Sequence, residues 1–403
     1  MFNFFGFFGD KNKKETALIF DIGSGSVAGA LLEFSPQKNP KILYSRREDI
    51  KFQKNLQGAR FKKEMYKSLG LVLEDLRKNI LANSGHLRVF RRALCSLASP
   101  WFISETDFIK IEKEKPFLVT EEFLSKNILE AEKRFEDSSL AKYGSDRKQE
   151  SEIIEKKIVD IRLNGYKTDE PLGKESQSVE LSVFLSMSQK SVLDDIEDLV
   201  LEFFHLENLA YHSFGLVSFS AARDMYDRVS NFLLLDITGE VTDVSLIREK
   251  NIVKTISFPQ GKNSVIRGLA KDLKIESGEA HSKLRLLFSS SLKKPNEEAL
   301  RKKIEKHRSL WLQEFQKSLD FLSDGLSLPS TIFFTADDDF SSWYGEVIKS
   351  EKYAEHTMTE GSFIVSFINS SSLGSFVEFE SNKKDTFLGI ISLFFKKVFE
   401  LNG

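Results

Sequence analysis

The chain reads as an α/β protein built from two related halves. Three observations predict this: an acid-tipped strand–turn–strand segment occurs twice, strand and helix patterns alternate along most of the length, and the composition is globular. The first copy is Ala17–Phe34, with an apolar strand, Asp21-Ile22, a turn of Gly23, Ser24, Gly25 and Ser26, and a second strand. The second copy is Phe232–Ile247, in which Phe232 to Leu235 lead into Asp236-Ile237, then Thr238-Gly239-Glu240, then alternating Asp243, Val244, Ser245 and Leu246. Four or more apolar residues in a row bounded by turn chemistry mark a buried strand. Each copy sets a carboxylate at the mouth of a hairpin, beside backbone amides that glycine leaves uncovered. Such a mouth suits a phosphate with a hydrated metal, the amides taking the oxygens and the acid orienting the cation's water. Either copy alone also reads as an ordinary hairpin with a polar turn. Two copies far apart in sequence favour half-domains facing one another across a cleft.

With 403 residues the chain can bury a large core and divides into two or more domains. Hydrophobic residues at 41% and charged residues at 29% exclude a disordered chain. The net charge of -2 gives no electrostatic case for nucleic acid as a partner. Cys95 is the single cysteine, which excludes an internal disulfide framework and suits a reducing cytoplasm. Six histidines without ligand spacing give no zinc motif, and no serine sits in a nucleophile elbow. Ser24-Gly25-Ser26 lacks the Gly-Lys-Ser/Thr of a P-loop. No apolar run is long enough to span a bilayer, and no secretory signal is present.

In chain order, Phe2, Phe4, Phe5, Phe7 and Phe8 are followed by Lys11, Lys13 and Lys14. Aromatics followed by lysines suit a peripheral membrane contact or a partner's groove through Met1–Lys14; a flap over the chain's own surface is the alternative. Lys41–Ser45 reads as a strand. Phe61, Met65, Leu69, Val72, Leu73, Leu76 and Ile80 have helical spacing over Phe61–Leu81. Val89–Leu97 and Phe102–Ile111 are strands, Thr120 caps a helix, and the polar stretch 138–152 reads as a loop. Lys156–Leu163 and Ser178–Ser188 are strands, Gln189–Phe204 and Leu216–Tyr226 helices, the latter rich in small residues. Past the second hairpin come a strand at Ile252–Ser257 and helices at Asn263–Leu273, Ser277–Phe288 and Glu297–Leu322. Thr331–Thr335 is a buried strand running into Ala336, Asp337, Asp338 and Asp339, read as a solvated turn or a divalent-cation site. The closing helix Thr386–Glu400 is apolar on more than one face, for core packing or for membrane insertion.

The paired loops resemble the phosphate-binding loops of the actin and sugar-kinase superfamily of ATPases. The finer resemblance is to its bacterial branch with cell-division protein FtsA and pilus-assembly protein PilM, as a pattern from about Thr16 to Lys397. It implies an actin-like (ribonuclease H-like duplicated) two-domain fold with an inserted strand-helix-strand-strand subdomain at 89–204. The first half would comprise 16–88, 205–230 and 368–403, and the second 231–367, with a helical subdomain at about 276–329. The resemblance also implies ATP and Mg2+. Asp21 and Asp236 would act in catalysis and hold the metal through water. Gly23, Ser24, Gly25, Ser26, Thr238, Gly239, Thr242 and Gly261 would cradle phosphates, and Glu279 and Lys283 would reach the nucleoside. At i, i+4 spacing on one helix face, Glu279 and Lys283 also read as a solvated ion pair.

The chain departs from the family in two places. Ala336 to Asp339 stand where paired glycines lie against adenine, and Glu240 stands where FtsA has glycine. A carboxylate about 4 Å from a phosphate costs about 4 kcal/mol at an effective dielectric near 20, enough to turn micromolar binding into millimolar. Two functions follow. One is a scaffold at the inner face of the bacterial inner membrane, in cell division or type IV pilus assembly, with weak or degenerate ATP binding. It would be cytoplasmic and peripheral to the membrane, contacting membrane-protein or cytoskeletal partners or itself. The other is an active ATPase or small-molecule kinase of the same fold.

Overall fold

The computed structural model describes residues 14–35, 37–85, 89–143, 150–289, 291, 294–350, 362–381 and 383–401. All of the aromatic-basic leader Met1–Lys14 except Lys14 lies outside these residues.

The first sheet starts as a meander of β1 (Glu15–Ile22), β2 (Ser26–Phe34) and β3 (Lys41–Asp49). Helix α1 (Gly58–Ser84) then crosses the sheet and returns the chain to β4 (Ala93–Leu97), parallel to β1. The apolar residues that predict α1 are those it buries against the sheet. Gly29 on β2 permits the contact, since a Cβ there would lie 2.8 Å from Leu76 Cδ1 and 2.9 Å from Val72 Cγ1.

An inserted four-stranded sheet follows, from β5 (Phe102–Leu118), helix α2 (Glu121–Tyr143), β6 (Ser151–Leu163), the two-residue β7 (Tyr166–Lys167) and β8 (Glu175–Gln189). Its spatial order is β5-β8-β6-β7, with α2 on one face. The stretch 138–152 is therefore not one loop: α2 runs to Tyr143 and β6 begins at Ser151. Leu124, Ile128, Ala131 and Phe135 of α2 pack on the sheet. Strand β5 likewise outruns the expected Ile111, with four consecutive charged residues, Glu112 to Lys115, exposed along its edge.

Helix α3 (Lys190–Phe203) leads to β9 (Leu209–Ser213) at the edge of the first sheet, then to α4 (Phe214–Met225). Ser213 caps α4, its hydroxyl accepting from Leu216 N.

The second sheet repeats the plan. It comprises β10 (Phe232–Ile237), β11 (Thr242–Arg248), β12 (Asn251–Phe258), and, after helices α5 (Lys262–Leu273), α6 (Ser277–Phe288) and α7 (Lys294–Ser323), β13 (Thr331–Ala336). Helix α8 (Asp338–Ser350) and β14 (Ile364–Phe367) complete it. A short β15 (Glu378–Phe379) then returns to the first sheet, and α9 (Thr386–Leu401) closes the described chain. The first sheet runs β15-β3-β2-β1-β4-β9 and the second β12-β11-β10-β13-β14. Apart from β15, the two orders correspond strand for strand. Helices α4 and α9 lie in the core between the sheets, where Val217, Ala221, Ile390, Ile391 and Phe395 meet residues of both β1 and β10. Burial from two sides is why α9 is apolar on more than one face. The solvated turn expected at 336–339 is instead the start of α8, with Asp338 and Asp339 in its first turn, where acids favour a helix N-terminus. Among the described residues no helix is long and apolar enough to cross a membrane.

Candidate functional site

The strands β1 and β10 end at the same cavity. Asp21, Gly23, Ser24, Gly25 and Ser26 line it from one half, and Asp236, Thr238, Gly239 and Asp337 from the other. Both acids are nearly enclosed, Asp21 at 3% exposure and Asp236 at 4%.

The two turns touch directly. Ser24 Oγ and Thr238 Oγ1 share a 2.7 Å hydrogen bond, and the Glu240 backbone N–H donates to Ser24 Oγ at 2.9 Å. A Cβ on Gly239 would lie 2.5 Å from Gly25 Cα, so the two backbones pack against each other without side chains between them. What remains of the cavity is about 20 Å³, room for about one water molecule.

Much of the turns' donor capacity is used internally. Gly23 N–H donates to Ser26 O, and Thr238 N–H to Val241 O. At the N-terminus of α5, a ready anion site in other settings, Lys262 and Asn263 N–H donate to Thr238 O and Gly239 O. Gly261 allows this approach, because a Cβ there would lie 2.2 Å from Thr238 O.

The charged groups are paired within the protein. Arg47 of β3 reaches Asp21 Oδ2 through Nη2 at 2.8 Å and Ser26 Oγ through Nη1 at 2.8 Å. It also meets Asp385 through Nε at 2.7 Å and Nη2 at 2.9 Å, and the Phe387 ring centroid lies 5.2 Å from the guanidinium carbon. Burial works against the Arg47 charge, but Asp385 and Asp21 outweigh it and raise its pKa. Asp385 is the stronger partner, with two guanidinium contacts plus the Leu388 N–H. Burial opposes its charge too, yet Arg47 and the backbone donors hold the Asp385 pKa below the usual carboxylate range. Burial pushes Asp21 up to about 6 despite Arg47.

The second half differs. Asp236 Oδ1 accepts from Thr335 Oγ1 at 2.7 Å, whereas Oδ2 is buried without a partner. Burial, then the neighbouring Asp243, raises the Asp236 pKa well above the carboxylate range. Asp243 accepts from Ser99 Oγ at 2.9 Å and is itself pushed by burial up to about 6.

Glu240 is not free to repel an anion. Arg267 donates to it through Nη1 at 3.0 Å and Nη2 at 2.5 Å, and Asn263 through Nδ2 at 2.9 Å. Two of the three acids after β13 are engaged as well: Asp337 pairs with Lys262 at 2.5 Å and Asp339 with His281 at 2.8 Å.

Thr242 stands apart from the cavity, its hydroxyl donating to Gln260 O and accepting from Trp311 Nε1. Glu279 and Lys283 pair with each other at 3.3 Å on an open surface, at 53% and 42% side-chain exposure. A pocket of about 470 Å³ between α6 and the start of α8 is lined by Ser282, Arg285, Phe288 and Asp339 instead.

Sequence reasoning missed Arg47, Asp385, Ser99, Trp101, Lys262 and Arg267. Trp101 Nε1 donates to Gly23 O at 2.8 Å and its ring stacks on Phe61, fixing the first turn from behind. Asp385 had a readable signal, an acid directly before Thr386 at the start of a helix pattern.

These residues do not fit a metal–nucleotide in the cleft: the turns are in backbone contact, the void holds one water, and Asp21 already faces a guanidinium.

No protein-family model matches the chain, and no curated protein matches it. Among solved structures it is similar to the PilM–PilN type IV pilus biogenesis complex, with TM-score 0.60 and 12% identity over 95% of this chain and 98% of that one. It also matches ethanolamine utilization protein EutJ from Carboxydothermus hydrogenoformans, with TM-score 0.43 and 11% identity over 96% of this chain and 91% of that one. The likeness is one of fold: the chain has the actin-like, duplicated α/β fold.

Proposed function

We propose that the protein is an FtsA/PilM-like scaffold at the bacterial inner membrane, acting through protein contacts, with a nucleotide site that is weak or degenerate. The observation that carries this reading is the closed cleft, where Ser24 meets Thr238 and about 20 Å³ is left between the two acids. A working ATPase needs room for phosphates and a hydrated cation between those loops. Pilus assembly is favoured over division because a solved structure that resembles the chain over nearly its full length, with TM-score 0.60, is a PilM–PilN complex. By that analogy the partner is another protein of a pilus biogenesis complex. The leader, with its phenylalanines and lysines, adds a peripheral contact with the anionic membrane.

The test is sedimentation of the full chain with inner-membrane vesicles of its own source, native or stripped of exposed protein by protease. Binding to native vesicles, mostly lost on stripping and indifferent to ATP, is the expected result. Equal binding to both would leave a lipid contact alone. No binding, together with steady ATP turnover, would favour the enzyme.

A further inference from the structure

We infer that Arg47 is a built-in cation: its guanidinium takes the position beside Asp21 where a hydrated metal ion would sit, making the cleft a permanent joint. This goes beyond the scaffold reading and does not depend on it, since a scaffold could also be built around a bound ion.

The geometry is that of a site made for one planar cation. Three elements converge on the guanidinium: Asp21 from β1, Ser26 from the start of β2, and Asp385 from the approach to α9. The fork of N–H groups meets Asp385 in a two-point contact and spends its remaining directions on Asp21 and Ser26, as only an arginine can. Phe387 covers it at 5.2 Å.

Strand register shows that this is particular to one half. Asp21 pairs with Ala28, and Ala28 with Arg47. In the second half Asp236 pairs with Asp243, and Asp243 with Ser257. Ser257 therefore occupies the place of Arg47, and there Asp236 keeps an unpartnered buried oxygen at the cavity. In one half Arg47 neutralises Asp21, and in the other Lys262 neutralises Asp337, whereas Asp236 has no cation partner among the described residues.

The joint is also braced between halves. Ser99, just after β4, donates to Asp243, and Arg162 of the inserted sheet meets Glu249 of the second half at 2.6 Å. Opening the cleft would break these contacts together with the Ser24–Thr238 bond.

The experiment uses the full-length wild type, Arg47→Ala and Arg47→Lys. Mn2+ binding is followed by electron paramagnetic resonance, and thermal unfolding is measured with Mg–ATP or with low-millimolar guanidinium against matched sodium chloride. Wild type and Arg47→Lys should exclude Mn2+ up to millimolar concentration, and Mg–ATP should not shift the wild-type midpoint. Arg47→Ala should unfold at lower temperature, recover part of the loss in guanidinium alone, and bind Mn2+ about tenfold or more tighter than wild type. Micromolar Mn2+ binding by wild type or by the lysine variant would overturn the inference, and both readouts remain if Arg47→Ala does not fold. Stabilisation of wild type by Mg–ATP that disappears in Arg47→Lys would make Arg47 a phosphate ligand and also overturn it.

Discussion

Two rows of residues, each running across the end of one sheet, answer the same problem differently. In the first half the row reads Ser96, Asp21, Ala28, Arg47; in the second it reads Thr335, Asp236, Asp243, Ser257. Both bury an acid at the tip of the central strand. The first compensates with a guanidinium shared between two carboxylates. The second has no cation in the row and places two acids side by side, so burial pushes both toward the protonated form, with repulsion from Asp243 adding to it at Asp236. A buried carboxyl is tolerable when paired with charge or when neutral, and a duplicated scaffold here uses one solution in each half. The difference also shows where stability can be gained. The first row is costly to disturb, whereas the second carries strain that a neutral residue would relieve.

The largest effect that sharpens this contrast should come from Asp385→Asn. Removing one partner of a buried charge pair costs about 3–5 kcal/mol in urea unfolding. Asp236→Asn, in the second row, should be neutral or stabilising. Equal losses in both would erase the distinction between the rows.

Next comes Gly239→Ala, which needs the two turns to move apart, because its Cβ would meet Gly25 Cα at 2.5 Å. About 3 kcal/mol or more of overpacking is expected, against less for Gly25→Ala, whose Cβ would lie 3.1 Å from Gly239 Cα.

The pH dependence of Asp243→Asn is of similar or smaller size. Asp243 has a folded pKa of about 6, above the ordinary aspartate value of 3.8, so the folded state keeps a proton that the unfolded state releases. Its contribution is therefore fully present at low pH and is lost as pH rises from about 4 to about 6. Asparagine removes that loss. The variant should match wild type near pH 4 and exceed it by on the order of 3 kcal/mol above pH 6, read from denaturation midpoints across pH. A constant offset at all pH values would mean that Asp243 is ionised when folded.

The smallest effect belongs to Glu279→Ala, an exposed i, i+4 pair partner, at about 0.5 kcal/mol or less. A larger loss would point to a role for α6 beyond this pair.

Both hairpins were legible because a central strand buried on two faces is an uninterrupted apolar run, and the acid ending it stands out. Helix α6 was legible to its ends for the opposite reason, a single clear face. Arg47 was hidden because its relation to Asp21 depends on register across three strands, and a bulge between Leu31 and Leu32 resets that register. Glu240 read as a repelling charge because its partner Arg267 lies on a later helix, and only packing of α5 against the turn brings them together. The acids after β13 read as a turn because nothing local shows that Lys262 and His281 wait across the fold. Local pattern reports burial and period; pairing of charges is a tertiary property.

Calorimetric titration of the full-length protein with ATP and magnesium, beside Asp236→Ala, tests the closed cleft most directly. A closed cleft gives no binding tighter than millimolar in wild type and no difference in the variant. Micromolar affinity in wild type that is lost in Asp236→Ala would contradict it, because the turns would then have to part and admit the nucleotide between them.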